Sequence, residues 1–178
     1  MVYIALLRGI NVGGNNKISM KTLKEVFEQA GMIQVKTYIN SGNIIFTSFN
    51  HSKEELVAIL ETAIFEHFEL QIKVLLVSEG EFRTIAAAVP ENWTNGDQMK
   101  SDVLFLWEDV DSESVLDRLV VKPEIDHILY VPGAILWAVD RDKVTRSGMM
   151  KLAGSELYKH MTVRNVNTVR KLVQLIEK

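Results

Sequence analysis

The first 90 residues carry apolar positions in two kinds of spacing, one typical of strands and one typical of helices. Apolar residues follow helical spacing after Ser19 and again after Ser52, and each of these serines can cap a helix. Gly31 is a natural stop for the first helix. Short apolar or alternating runs predict strands at Tyr3–Leu7, Val35–Asn40, Ile44–Thr47 and Ile72–Val77. The resulting order, β-α-β-β-α-β, is that of a ferredoxin-like plait.

The second half of the chain repeats this order of elements without repeating the sequence. A helix capped by Ser78 and Glu81 ends before Pro90, and the polar, turn-prone residues 91–101 form the predicted boundary. Beyond it the pattern predicts strands at Val103–Trp107, Ile128–Val131, Ile135–Val139 and Thr162–Arg164, and helices over Ser112–Leu119, Lys151–His160 and the C-terminal residues. We therefore predict an α+β protein with two tandem ferredoxin-like (α-β plait) sub-domains. The first covers residues 1–90 with an extra helix, and the second covers residues 101–178 with a C-terminal helix.

Composition narrows the classes of protein to which the chain can belong. The 178 residues include no cysteine, which excludes disulfides, thiolate nucleophiles and cysteine-bound metal centres. The sequence shows no signal-peptide leader and no run near the ~20 apolar residues that a membrane helix needs. We therefore predict a cytoplasmic protein with no membrane partner.

Charge is distributed unevenly along the chain. The formal net charge is −3, yet residues 141–178 hold nine Lys or Arg side chains and only three acids. Such a basic segment indicates an anionic partner. The alternative is that the basic segment and the acidic remainder of the chain simply attract one another.

A polar, glycine-rich segment, residues 9–17, separates the first predicted strand from the first helix. Phosphates bind at such junctions, because backbone N–H groups and the helix dipole point toward the anion. Asn15 and Asn16 stand where a P-loop carries Lys and Ser or Thr, and the dinucleotide spacing of glycines is absent. The alternative is that the glycines only supply positive φ for a long turn. The ligand-binding residues predicted here are Arg8, Asn11, Gly13, Gly14 and Lys17.

A second polar segment, residues 40–43, joins two predicted strands. A hairpin turn favours Asn, Ser and Gly, so a structural role explains most of this motif. In the predicted plait we expect this turn at the end of the sheet opposite the loop after the first strand. The two could then share a site only if that loop folds back. Asn40, Ser41 and Asn43 are candidate ligand-binding residues.

The third candidate segment begins the last predicted helix. Asn165 or Asn167 can cap this helix, and Thr168 can bond its first turn. Basic side chains near a helix N-terminus oppose the helix dipole, and a bound anion would relieve that conflict. A solvated polar face is the alternative. The ligand-binding residues predicted here are Arg164, Asn165, Thr168 and Lys171.

Catalytic and metal-binding patterns are missing from the sequence. The four histidines lack metal spacing, there is no nucleophile elbow, and the acids between residues 108 and 117 lack a calcium-loop pattern. His160 is a candidate proton carrier. We predict no metal and no cofactor, and we assign no catalytic residue.

Three motifs resemble the bacterial family known as Domain of Unknown Function 1697. They are Tyr3–Gly14 with Lys17 and Met20, Tyr38–Asn43, and Thr162–Asn165 with Thr168, Val169, Lys171 and Leu172. The resemblance covers essentially the whole chain and implies two ferredoxin-like sub-domains, but no reaction. Val166 stands where the family motif usually has Trp, and residues 146–152 match the family's Ser-Lys-Leu stretch only loosely.

These observations leave three hypotheses about function. The first is a non-enzymatic module that binds a phosphate-bearing or other anionic ligand, with a nucleotide and RNA both open, through Arg8, Lys17, Arg164 and Lys171. Tyr38 and Phe46 are too few aromatics for an RNA-stacking platform. The second is an enzyme acting on a small polar or anionic substrate. The third is a self-associating interaction protein, such as a homodimer paired at its sheet edges.

Overall fold

The computed structural model describes all residues from Met1 to Lys178 and divides into two compact units, Met1–Phe82 and Arg83–Lys178. The first unit consists of β1 (Val2–Leu7), α1 (Met20–Gln29), β2 (Ile33–Tyr38), β3 (Asn43–Thr47), α2 (Lys53–Phe68) and β4 (Val74–Ser78). Its strands form one antiparallel sheet in the order β2-β3-β1-β4. Helix α3 (Glu79–Ala88) follows, and the division between the units falls inside it.

The second unit contains a second antiparallel sheet, in the order β6-β7-β5-β8. Its elements are β5 (Met99–Leu106), β6 (His127–Val131), β7 (Ala134–Asp140), β8 (Met161–Asn165) and α4 (Val166–Ile176). The protein is therefore a mixed α+β protein with two four-stranded antiparallel sheets. The domain boundary expected at residues 91–101 stays a prediction. No helix in the structure is both long and apolar enough to cross a membrane.

The predicted helix caps are confirmed. The Ser19 and Ser52 hydroxyls accept hydrogen bonds from the backbone N–H groups of Thr22 and Glu55. Ser78 and Glu81 exchange bonds in both directions, since each side chain accepts from the backbone N–H of the other residue. These local bonds satisfy N–H groups that a helix start would otherwise leave without partners, and they place each helix where the sequence predicted.

The connections between strands in the second unit differ from the prediction. The segments expected as helices, Ser112–Leu119 and Lys151–His160, form 3-10 turns at Glu113–Arg118 and Glu156–His160, and a further 3-10 turn, Gly148–Lys151, ends where the second segment begins. These turns span four to six residues. An α-helix gains hydrogen bonds only after a costly first turn, so segments this short adopt the tighter 3-10 geometry instead.

One buried carboxylate ties these connections together. Asp126 accepts hydrogen bonds from the Ser147 hydroxyl at 2.5 Å, from the Lys122 N–H at 2.8 Å and from the Gly148 N–H at 3.0 Å. Burial alone would raise the pKa of Asp126, but these donated bonds outweigh burial, and the net pKa lies below its usual value. The ionised side chain therefore holds the segment before β6 against the one after β7.

Candidate functional site

A hollow of about 450 Å³ lies in the first unit, between the loop after β1 and the start of α1. None of the residues that line it is acidic. The lining residues are Asn11, Gly14, Lys17, Ile18, Ser19 and Asn40. Four of them, Asn11, Gly14, Lys17 and Asn40, are candidates that the sequence had singled out.

The side chain of Asn11 holds the hollow in shape. Its Oδ1 accepts from the Ile18 N–H at 2.9 Å, and its Nδ2 donates to the Ile18 carbonyl at 3.1 Å and to the Asn40 carbonyl at 2.8 Å. Asn11 also adopts a left-handed φ of 54°, which Asn tolerates better than most residues. Because these bonds use both polar groups of the carboxamide, the Asn11 side chain connects the loop to the β2–β3 turn by hydrogen bonds.

Gly13 and Gly14 form a tight hairpin turn within this loop. Their φ values are 58° and 78°, and the backbone N–H of Asn15 donates to the Val12 carbonyl at 2.9 Å across the turn. Two successive positive φ values define a type I′ turn, for which glycine is favoured. The turn accounts for both glycines in structural terms, while Gly14 also lines the hollow.

The β2–β3 turn lies beside this loop, and the expectation that the two occupy opposite ends of the sheet is wrong. Strands β1 and β3 run antiparallel, with Leu6 opposite Asn43, so the end of β1 meets the start of β3. The Leu7 N–H donates to the Gly42 carbonyl at 2.9 Å. The loop therefore reaches Asn40 without folding back, and the two motifs share one end of the first unit.

The remaining candidates in the first unit play different parts. Asn43 is fully buried and its Nδ2 donates to the Tyr38 carbonyl at 3.0 Å and to the Ser41 hydroxyl at 2.9 Å, which closes the turn internally. Arg8 is half-buried directly after β1, and its backbone N–H donates to the Lys73 carbonyl. Gly13 stands at the exposed tip of the hairpin. The hollow is lined by none of these four candidates, Arg8, Gly13, Ser41 and Asn43.

The charges around the start of α1 favour an anion. Lys17 is exposed at the hollow, and the helix has no acidic residue in its first turn. Lys21 lies in that first turn instead, against the preference of the helix dipole. Ser19 caps the Thr22 N–H, which leaves the N–H groups of Met20 and Lys21 without a partner inside the helix. Of these groups, only the Lys17 ammonium lines the hollow; Met20 and Lys21 directly follow its lining residue Ser19 at the start of the helix.

The candidates in the second unit lie on β8 and at the start of α4. Asn165 caps α4, since its Oδ1 accepts from the Thr168 N–H at 3.0 Å, and Thr168 is buried. Arg164 is buried and donates to the Thr162 hydroxyl and the Val163 carbonyl, both at 2.9 Å. Burial lowers the pKa of Arg164 to about 10 and Tyr158 opposes this shift, so the side chain stays a cation at neutral pH. Lys171 is half-buried on α4.

A carboxylate–histidine pair is the second arrangement with chemical potential. His160 Nδ1 lies 2.6 Å from Asp109 Oδ2, and both side chains are partly exposed. Nearby, the Asp111 carboxylate accepts from the Tyr130 hydroxyl at 2.7 Å and from the Gly133 N–H at 2.8 Å. Burial and the bond to Asp111 raise the pKa of Tyr130 to about 12. The role of His160 as a proton carrier stays a prediction.

Sequence comparison places the chain in a family. The family model "Protein of unknown function (DUF1697)" matches residues 1–137. The chain belongs to the DUF1697 family. The structure of conserved bacterial protein SP0830 from Streptococcus pneumoniae resembles this DUF1697 protein, with a TM-score of 0.82, 33% sequence identity and coverage of 97% of each chain. No curated protein matches the sequence.

The DUF1697 protein is expected to depend on Asn11 for the shape of its hollow. In Asn11→Asp the side chain keeps its size and still accepts a hydrogen bond from the Ile18 N–H. It can no longer donate to the Ile18 and Asn40 carbonyls, and its negative charge faces their oxygens instead. We expect the free energy of unfolding to fall by about 2 kcal/mol, as measured by urea denaturation. The control is Asn15→Asp in the same loop, which should change it by less than about 0.5 kcal/mol. Equal losses of unfolding free energy in the two variants would show that the hydrogen bonds of Asn11 do not stabilise the loop.

Proposed function

We propose that this DUF1697 protein is a binding module for a small anionic ligand, which it holds in the hollow at the start of α1. The observation that carries the proposal is the position of Lys17, which is exposed beside a helix N-terminus in a hollow without an acidic lining residue. Phosphate and carboxylate groups bind where backbone N–H groups, the helix dipole and a cation coincide. In this proposal Lys17 and the first N–H groups of α1 contact the anion, and Asn40 contacts the rest of the ligand.

The size of the hollow supports a small ligand rather than a polymer. Its volume of about 450 Å³ is in the range of small-molecule sites, which is roughly 300–1,000 Å³. A phosphate-bearing metabolite or a nucleotide fits that range. That Arg8, Arg164 and Lys171 also contribute to ligand binding stays a prediction. RNA stays an alternative ligand. Measuring the affinity at several salt concentrations would test it, since the affinity for nucleic acid falls steeply with salt.

Calorimetric titration with inorganic phosphate and with AMP tests the proposal. Lys17→Ala should weaken binding of either probe about tenfold, because the ammonium's bond to an anion contributes about 1.4 kcal/mol. The matched control is Lys151→Ala, which removes the same charge from an exposed site in the second unit and should leave the affinity unchanged. Equal losses in both variants would show that net charge alone attracts the anion, and would reject the site. Binding of neither probe to the unmodified protein would reject the proposal for phosphate ligands.

We also propose that each unit is a ferredoxin-like plait and that the protein acts in the bacterial cytoplasm. The strand orders β2-β3-β1-β4 and β6-β7-β5-β8 place corresponding strands at corresponding positions, as two tandem plaits require. The likeness to a conserved bacterial protein supports a bacterial origin. The absence of cysteine fits a reducing compartment. An enzymatic role stays an alternative, with the His160–Asp109 pair as its support.

A further inference from the structure

The edge strand β6 differs from β2, the strand at the corresponding edge of the first sheet. Strand β2 is an edge strand of the first sheet, and it carries Lys36 and a break in register between Ile33 and Lys36, where Gln34 has a φ of 53°. A bulge and an inward or flanking lysine are the devices by which proteins prevent edge strands from pairing with other chains. Strand β6 has neither, and its register with β7 is unbroken over all its five residues.

No side chain of β6 is fully buried, and three of the five are aliphatic. Its sequence is His-Ile-Leu-Tyr-Val, without a charged Lys, Arg, Asp or Glu, and Leu129 is 44% exposed. Ile128 and Tyr130 pack against the core of the second unit. Because side chains alternate along a strand, His127, Leu129 and Val131 lie on the other face of the sheet. A strand without charged side chains at the edge of a sheet can accept another strand.

The backbone groups that β6 offers follow from the turn next to it. Pro132-Gly133 is a two-residue connection, with φ of 94° at Gly133, so Val131 and Ala134 form a hydrogen-bonded pair beside the turn. Hydrogen-bonded and non-bonded positions alternate along an antiparallel pair. The N–H and C=O groups of Ile128 and Tyr130 therefore point away from β7, and no bond within the chain occupies them.

From these observations we propose that β6 is a self-association edge, at which a second copy of this chain adds its own β6 antiparallel around a two-fold axis through Leu129. In that register Ile128 of each copy faces Tyr130 of the other, and the outward groups form about four backbone hydrogen bonds. Leu129 meets its own equivalent as a non-bonded pair, the position at which opposed side chains come closest.

The pairing is self-complementary in charge and in length. On the face that carries Leu129, His127 of one copy meets Val131 of the other, so no like charges are opposed. Pro132 ends the pairing on one side because proline has no N–H to donate. The interface is one short strand, so we expect a weak dimer that forms at high protein concentration. This proposal does not depend on the anion site, which lies in the first unit.

Cysteine cross-linking tests the register, because the natural chain contains no cysteine. In Leu129→Cys the two introduced thiols face each other across the axis, at the kind of position where a cross-strand disulfide is sterically allowed. We expect mild oxidation to give a disulfide-linked dimer. The matched control is Ile33→Cys, on the bulged β2 edge with a similar exposure of 45%, which should stay monomeric on non-reducing gels. Similar cross-linking of both variants, or of neither, would overturn the proposal.

A charge exchange at the axis provides a second test that leaves the backbone unchanged. Leu129→Lys and Leu129→Glu each place like charges opposite one another, so each variant should be monomeric in sedimentation experiments that reach about 1 mM. An equimolar mixture should recover the dimer, because Lys then faces Glu. Circular dichroism shows whether each variant is folded. The proposal would be overturned if the natural chain were monomeric at every concentration, or if the mixture of the two variants did not form the dimer. Binding of β-strand peptides by a monomeric chain would also overturn it and would assign the edge to another partner.

Discussion

Replacing Gly148 by Ala is expected to lower the free energy of unfolding by about 4 kcal/mol or more. A Cβ at this position would lie 1.7 Å from the Val120 carbonyl oxygen, 2.5 Å from its carbonyl carbon and 3.1 Å from the Val121 nitrogen. All three atoms belong to the backbone, so no side chain can rotate to make room. The backbone must move instead, and the Gly148 N–H that bonds to Asp126 would move with it.

Urea denaturation of Gly148→Ala measures this loss, and Gly154→Ala is the matched control. Gly154 lies in the same region of the chain, is exposed, and a Cβ there would meet nothing within 4 Å. We expect the control to change the free energy of unfolding by less than about 0.5 kcal/mol. If the two variants were equally stable, residues 120 and 148 could not be in contact as described.

Gly42→Ala is expected to destabilise the protein by about 3 kcal/mol and to distort the hollow. Gly42 has a φ of 88°, which disfavours every side chain, and an added Cβ would lie 2.8 Å from both Leu7 Cβ and Ile10 Cδ1. This position is where the β2–β3 turn packs against the end of β1 and the loop that follows. The substitution should therefore also weaken phosphate binding, because it displaces the turn that carries Asn40.

Gly31→Ala separates the two causes of that loss. Gly31 also has a positive φ, 101°, but a Cβ there would meet nothing within 4 Å. Its cost should be limited to the backbone conformation, about 1 to 2 kcal/mol in urea denaturation. The extra loss in Gly42→Ala then measures the packing of the turn against Leu7 and Ile10. Equal losses in the two variants would show that this close contact does not exist.

Local signals in the sequence predicted much of the fold. Ser19, Ser52 and Asn165 each cap the helix that the apolar spacing predicted, because capping depends only on residues three positions apart. The hairpin across Pro132-Gly133 follows from its turn residues in the same way. The 3-10 connections of the second unit were not predictable, since tertiary contacts such as the Asp126 anchor decide the geometry of segments too short to form a helix alone.

The candidate site was predicted only in part, because its geometry depends on contacts distant in sequence. The segment rich in glycine indicated Asn11, Gly14 and Lys17, but nothing local shows that Asn11 bonds the Asn40 carbonyl, 29 residues away. The error about the β2–β3 turn came from the same cause, since its position depends on the antiparallel pairing of β1 with β3. Lys21, which lies in the first turn of α1, was not among the residues predicted from the sequence. The signal for it was the run Ser19-Met20-Lys21, in which a helix cap is followed by a basic residue where an acidic one is usual.

The most direct test of the central claim, that the start of α1 binds an anion, is a phosphate titration followed by backbone amide NMR. We predict saturable shifts of the Met20, Lys21 and Asn40 amides in the natural protein and their loss in Lys17→Glu, while amides of the second unit change little. Absence of saturable shifts at these three amides, or the same shifts in Lys17→Glu, would contradict the account.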